Sequence, residues 1–209
     1  MFFIAFSDWP VRFFQARCTE VVMKTINVSN GTFFSKINLG MKSYYYLYDL
    51  KDEYPGFAKW FFTKAIKGLL LGNREFLLCF SEGEIAGLAI LKKESSEKKI
   101  CTLRVSPRYR GRGLGSMLLE SSIDYLGVDD PFITVPQQHI DEFRPLLSKF
   151  NFVEKGKFPN YYRNGSCEFC FNGLLERQYQ GEEKSLICDF ALARHCSEVG
   201  CCDGLLSVR

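Results

Sequence analysis

At 209 residues and 46% hydrophobic content, the chain can bury one good core, which suits one domain plus an appendage better than two equal domains. Lysine and arginine exceed aspartate and glutamate by only three, so the overall charge does not announce a nucleic-acid partner. The nine cysteines are odd in number and scattered over a chain too large to need disulfides for a core, which excludes a disulfide framework and predicts a reducing, cytoplasmic setting.

Residues 1–18 hold aromatic clusters around Trp9-Pro10 and match neither structural period. The run Phe2 to Phe6 is too short for a membrane span and lacks the basic start of a signal peptide, so the segment reads as a packed aromatic arm. Val21 to Val28 alternates well enough for a strand, and Ser29-Asn30-Gly31-Thr32 supplies turn and N-cap chemistry before a helix at Phe33. A tyrosine-rich stretch (Tyr44, Tyr45, Tyr46, Tyr48) follows and ends in the charged segment from Asp49 to Gly56. The periodicity then predicts a helix from Phe57 to Leu71, closed by Gly72-Asn73.

Phe76 to Phe80 and Ile85 to Leu91 are apolar runs joined by Ser81-Glu82-Gly83-Glu84, a hairpin signal. A third strand carries Leu103 and Val105 and stops at Ser106-Pro107, since proline cannot continue a ladder. From Gly115, the helical spacing of Met117, Leu118, Ser121, Ser122 and Tyr125 predicts a helix packed on one face. Further on, Phe132 to Val135 reads as a short strand and Ile140 to Phe150 as a second helix on the sheet. Phe152-Val153 and Glu168 to Phe171 bracket Gly156, Pro159 and Asn164-Gly165, which suggests a closing hairpin.

The chemistry concentrates between the third strand and its helix. Arg110, Gly111, Arg112, Gly113, Leu114 and Gly115 place three glycines where backbone can approach a ligand, at a helix start whose free amides favour a phosphate or pyrophosphate. Six basic residues (Lys98, Lys99, Arg104, Arg108, Arg110, Arg112) and no acidic one lie between Lys98 and Leu119, as a polyphosphate tail would require. The loop is not a Walker motif, because Gly115 is followed by Ser116-Met117 rather than a Lys-Ser or Lys-Thr pair. Nor does the strict alternation of Gly111, Gly113 and Gly115 give the dinucleotide spacing.

A strand ending Val105-Ser106-Pro107, followed by Arg110-x-x-Gly113-x-Gly115 and a helix, resembles the acyl-CoA loop of the GCN5-related N-acetyltransferase (GNAT) family. The resemblance covers about residues 19–173. It implies an α/β (α+β) fold with a mixed, mainly antiparallel central sheet flanked by helices, leaving residues 1–18 as an arm and residues 174–209 as a cysteine-containing extension, in which the apolar stripe of Leu186, Ile187, Phe190 and Ala191 suggests a helix. It further implies acetyl-CoA as acyl donor, held by Leu103, Arg104, Val105, Arg110, Gly111, Arg112, Gly113, Leu114, Gly115 and Ser116, with the Val105 amide on the acetyl oxygen. The expected activity is acetyl transfer to a primary amine of a small molecule, a protein or an aminoacyl-tRNA. No membrane is implied, and the chain is expected as a monomer or homodimer.

Two family positions depart from the pattern. The tyrosine that serves many members as general acid reads Leu147, counted back from Phe152, and a glutamate that some members use as base reads Lys99. Tyr161, Tyr162 and His139 are the substitute candidates, and the loss of both usual groups keeps alive a non-catalytic module that binds acyl-CoA. No metal site is expected. In a strand, Cys167 and Cys170 point to opposite faces, and the spacing of Cys188, His195, Cys196, Cys201 and Cys202 matches no common zinc module.

Overall fold

A computed structural model describes residues 24–175. The expected aromatic arm, the helix of the extension and its cysteines lie outside the described residues.

Strand β1 (Lys24–Asn27) leads through a 3-10 turn into helix α1 (Phe33–Tyr46), whose start is capped by the Thr32 hydroxyl accepting the Ser35 amide at 3.3 Å. The helix is longer than the sequence suggests, because Tyr44 to Tyr46 continue it and Tyr44 stacks on Phe57 and meets Phe61 at a tilt. A one-turn helix, α2 (Leu50–Glu53), precedes a helical run made of α3 (Phe57–Trp60), a π segment (Phe61–Ile66) and α4 (Lys67–Leu71). Gly72 ends that run at φ 82°, the left-handed cap expected of it.

Strands β2 (Arg74–Ser81) and β3 (Glu84–Lys93) form the expected hairpin, with Glu82 and Gly83 at φ 54° and 82° in a two-residue turn. Strand β4 (Lys98–Val105), helix α5 (Leu114–Leu126), strand β5 (Phe132–Pro136) and helix α6 (Ile140–Lys149) follow. The chain closes on β6 (Glu154–Pro159) and β7 (Cys167–Phe171). Strand β6 begins at Glu154 rather than at Phe152, because Asn151 turns the chain at φ 60° and sends Phe152 into the core.

The seven strands run in the order β1-β2-β3-β4-β5-β7-β6, and every pair is antiparallel except β4 with β5. This is the mixed, mainly antiparallel sheet that the sequence implied. One face packs Leu77, Leu91, Ile100 and Ile133 under α5 and α6. The other packs Phe76, Leu78, Leu88 and Ile90 under α1, the π segment and α4. Alternation also separates Cys167, which packs towards the α5–α6 face, from Cys170 on the opposite face, and the described residues hold no cluster able to bind a metal.

Candidate functional site

The site begins with an irregularity in β4. Leu91 pairs with Ile100 but Ile90 pairs with Thr102, so Cys101 is an extra residue in the ladder, a β-bulge. The bulge lets Ile100, Leu103 and Val105 all reach the α5–α6 face, although simple alternation would separate the first from the other two. It also bends the strand. Strand β4 pairs with β5 only through Lys99 with Phe132 and Ile100 with Ile133, and beyond that point β5 turns to β7 alone. The sheet is therefore split between Cys101–Val105 on one side and Thr134–Pro136 on the other.

Register shows which backbone groups the split frees. The Ser106 amide donates to the Ala86 carbonyl at 2.9 Å, so 106:86 is a hydrogen-bonded pair, and the alternation makes 104:88 and 102:90 the next ones. Leu103 and Val105 fall between them. Their N–H and C=O groups point away from β3, into the split.

The split opens into a cleft of about 540 Å³. One wall is β4 from Thr102 to Val105, the end is the loop with Arg110, Gly111 and Gly113, and the roof is formed by Phe143 and Leu146 of α6. Gly111 and Gly113 hold φ of 73° and 80°, a conformation that L side chains rarely adopt, and Gly113 caps α5 with no side-chain bond. The first helical bond near this end runs from the Met117 amide to the Gly113 carbonyl at 3.1 Å, so the amides of Leu114, Gly115 and Ser116 start the helix unpaired within it. No acidic residue occupies this first turn. The arrangement suits an anion.

The basic side chains are positioned differently from one another. Arg110 reaches Glu142 of α6 at 3.2 Å and places its Nε 3.5 Å from the Val105 carbonyl, tying the loop to both walls. Arg112 lies over the Tyr109 ring at 5.7 Å, and Ser116 accepts a bond of 3.5 Å from Lys149. Arg104 points to the other face, where it forms a two-pronged ion pair with Asp49, one contact being 2.6 Å. That pair raises the hold on the guanidinium proton and keeps the Asp49 carboxyl below its usual range, and it fastens α2 against the open strand.

Of the three substitute candidates, His139 lines the cleft, at the N-terminal end of α6. Tyr161 and Tyr162 stand outside its walls, in the loop between β6 and β7, with ring centroids 4.7 Å apart. Tyr162 meets Tyr54 edge-on at 6.0 Å. Leu147 is wholly buried among the residues under the sheet and presents nothing to the cleft.

The structure adds residues that the sequence reading missed. Glu53 of α2 lines the cleft, accepts a bond from the Gln138 amide at 2.9 Å and lies 3.4 Å from His139 Nε2. Behind it, Tyr54 hydrogen-bonds the Glu168 carboxylate, which is 3% exposed on β7. Burial pushes the Glu168 carboxyl up to about 7, against the pull of Arg163 and Lys99. Burial likewise raises the Tyr54 hydroxyl well above the usual phenol range. Glu53 and His139 are 86 residues apart, so no local pattern signals their meeting.

The acetyltransferase (GNAT) family model matches residues 37–128, from within α1 to just past α5. No curated protein matches the chain. Similar solved structures include the acetyltransferase of the GNAT family from Streptococcus pneumoniae, at 23% identity and a TM-score of 0.43 over 51% of this chain and 72% of that one. The ribosomal-protein-S18-alanine N-acetyltransferase from Escherichia coli is similar at 21% identity and a TM-score of 0.43, over 56% of this chain and 82% of that one. A GNAT family acetyltransferase from Elizabethkingia anophelis with acetyl-CoA bound is similar at 18% identity and a TM-score of 0.42, over 52% and 81%.

Proposed function

We propose, for a chain that belongs to the acetyltransferase (GNAT) family, that it transfers an acetyl group from acetyl-CoA to a primary amine. The observation that carries this reading is the split of β4 from β5 ending on a helix start with unpaired amides. An extended donor with amide groups along its arm and a diphosphate at its end needs those two features together.

Leu103 offers a free backbone donor and acceptor, and Val105 a free donor, to the amides of the pantetheine arm, the Val105 carbonyl already accepting from Arg110 Nε at 3.5 Å. The amides of Leu114, Gly115 and Ser116, with those of Gly111, Arg112 and Gly113, face the diphosphate, and Arg112 adds charge without a carboxylate partner among the described residues. The Val105 N–H polarises the thioester carbonyl. A preorganised donor of this kind is worth about 100-fold or more in rate, because charge develops on that oxygen as the amine attacks.

His139 is the side chain on the cleft wall that can take the amine proton. Tyr161 and Tyr162 are not on the cleft wall, and Tyr162 is held by a hydrogen bond to Thr134 of β5. With leucine at position 147, the departing thiolate is protonated from the amine or from water.

The test incubates the full chain with acetyl-CoA and a panel of alkylamines, peptides and charged tRNA, and follows free thiol. Release above hydrolysis with at least one acceptor, falling at least tenfold in His139→Ala and unchanged in Tyr161→Phe and Tyr162→Phe, is the expected result. Tight acetyl-CoA binding with no release for any acceptor would replace this reading with that of a non-catalytic acyl-CoA-binding module.

A further inference from the structure

The charges on the cleft wall are unevenly matched. Among the lining residues, Glu142 is paired with Arg110, and Arg104 is paired with Asp49. Glu53 makes no salt bridge with a lysine or arginine among the described residues, its contacts being Gln138 and His139, and the Arg104 charge that acts on it through space is already doubly bonded to Asp49. A carboxylate with no counter-charge in contact, half-sheltered from water in a concave site, holds a binding energy for cations that a directly paired one does not.

Its position is also defined. Gln138 donates to Glu53 while its own amide oxygen accepts from Arg163 at 2.9 Å and lies 3.4 Å from the Ser166 hydroxyl, so the amide is held one way round and the carboxylate with it. From below, the Arg104–Asp49 pair fastens the N-terminal end of the same one-turn helix to β4, the strand whose backbone is open. Glu53 is thus fixed across the cleft from Leu103 and Val105. Behind it lies the buried Glu168, bonded by Tyr54 and acted on by the charges of Arg163 and Lys99.

An alkylamine is a cation at neutral pH, since its pKa is about 10, as for a lysine side chain. We infer that Glu53 is the anchor for the acceptor's ammonium group, so that the cleft selects an alkylammonium acceptor over an amine that carries its own carboxylate or phosphate beside the nitrogen. This rests on the acetyl-transfer reading above. The ammonium meets Glu53 and gives one proton to His139 at its side. The neutral nitrogen then bonds the thioester carbon, the carbon–sulfur bond breaks, and the departing thiolate takes the second proton lost by the nitrogen. The products are the acetamide and CoA thiol, with one proton left on His139 for the solvent.

Binding tests this without turnover. The full chain, saturated with CoA at neutral pH, is titrated with butylamine by ligand-observed NMR, with butan-1-ol as an uncharged control. Butylamine is expected to bind, butan-1-ol to bind at least tenfold more weakly, and Glu53→Gln to weaken butylamine at least tenfold while CoA affinity stays within twofold. Equal butylamine affinity in Glu53→Gln, or no butylamine binding to wild-type protein that binds CoA, would overturn the anchor and leave the donor site standing. Failure of CoA itself to bind would remove both.

Discussion

Glu168 shows how one side chain can carry a cost that function explains. It is buried on β7 and bonded by Tyr54, and burial raises its carboxyl to about 7. The folded state therefore holds the proton more tightly than the unfolded chain, and between the ordinary carboxylate range and pH 7 it binds more protons. Stability falls as pH rises through that window, and the full penalty stands above about pH 7. Glu168→Gln keeps the shape and an oxygen for Tyr54 while removing the charge. It is expected to stabilise the protein at pH 8 by about 2 kcal/mol and to change little at pH 4.5. Denaturant midpoints of both proteins at the two pH values check this, and an equal difference at both would contradict it. Nothing in the run Cys167 to Phe171 signals the role, because the meaning of Glu168 comes from Tyr54, which is far away in sequence. The same holds for Glu53 and His139. By contrast, the Arg110–Ser116 loop is legible from its own residues, since glycine spacing and a helix start are local properties.

At the level of elements, the sequence-predicted order of strands and helices matches the structure apart from α2, which lies in the segment read as a charged break, while the features that make the site are departures from regularity. The bulge at Cys101 follows from how β3 and β4 align, and a run such as Ile100-Cys101-Thr102-Leu103 reads as plain strand. Helix α6 illustrates the opposite case. Its residue Leu147 stands where a family tyrosine was expected, and the structure gives that leucine a different task, fully buried under the sheet with its carbonyl accepting the Phe152 amide at 3.0 Å. Leu147→Tyr is therefore expected to lower stability by about 1–3 kcal/mol through overpacking, and not to raise the rate of acetyl transfer. Thermal or denaturant unfolding measures the first, and thiol release the second. A variant as stable as wild type and faster in transfer would show that the cleft lacks only an acid there.

Across the whole described domain, two hydrophobic layers hold one sheet that is intact on the β1–β3 side and split in the middle. Helix α5 packs against β3 and β4 and brings its bare N-terminus to the end of the split, while α6 roofs the opening with Phe143 and Leu146. Helix α2, fastened by Arg104, brings Glu53 to the other wall. This split and this helix start suit acetyl-CoA. Calorimetric titration of the full chain with acetyl-CoA measures this most directly, with Gly113→Val as the comparison, since valine at φ 80° is strained and its branched side chain stands in the loop proposed to hold the diphosphate. Micromolar, one-to-one binding by the wild-type chain, lost at least tenfold in a folded Gly113→Val protein, is the result expected. No binding by folded wild-type protein at high micromolar acetyl-CoA, or wild-type affinity in the variant, would contradict the account.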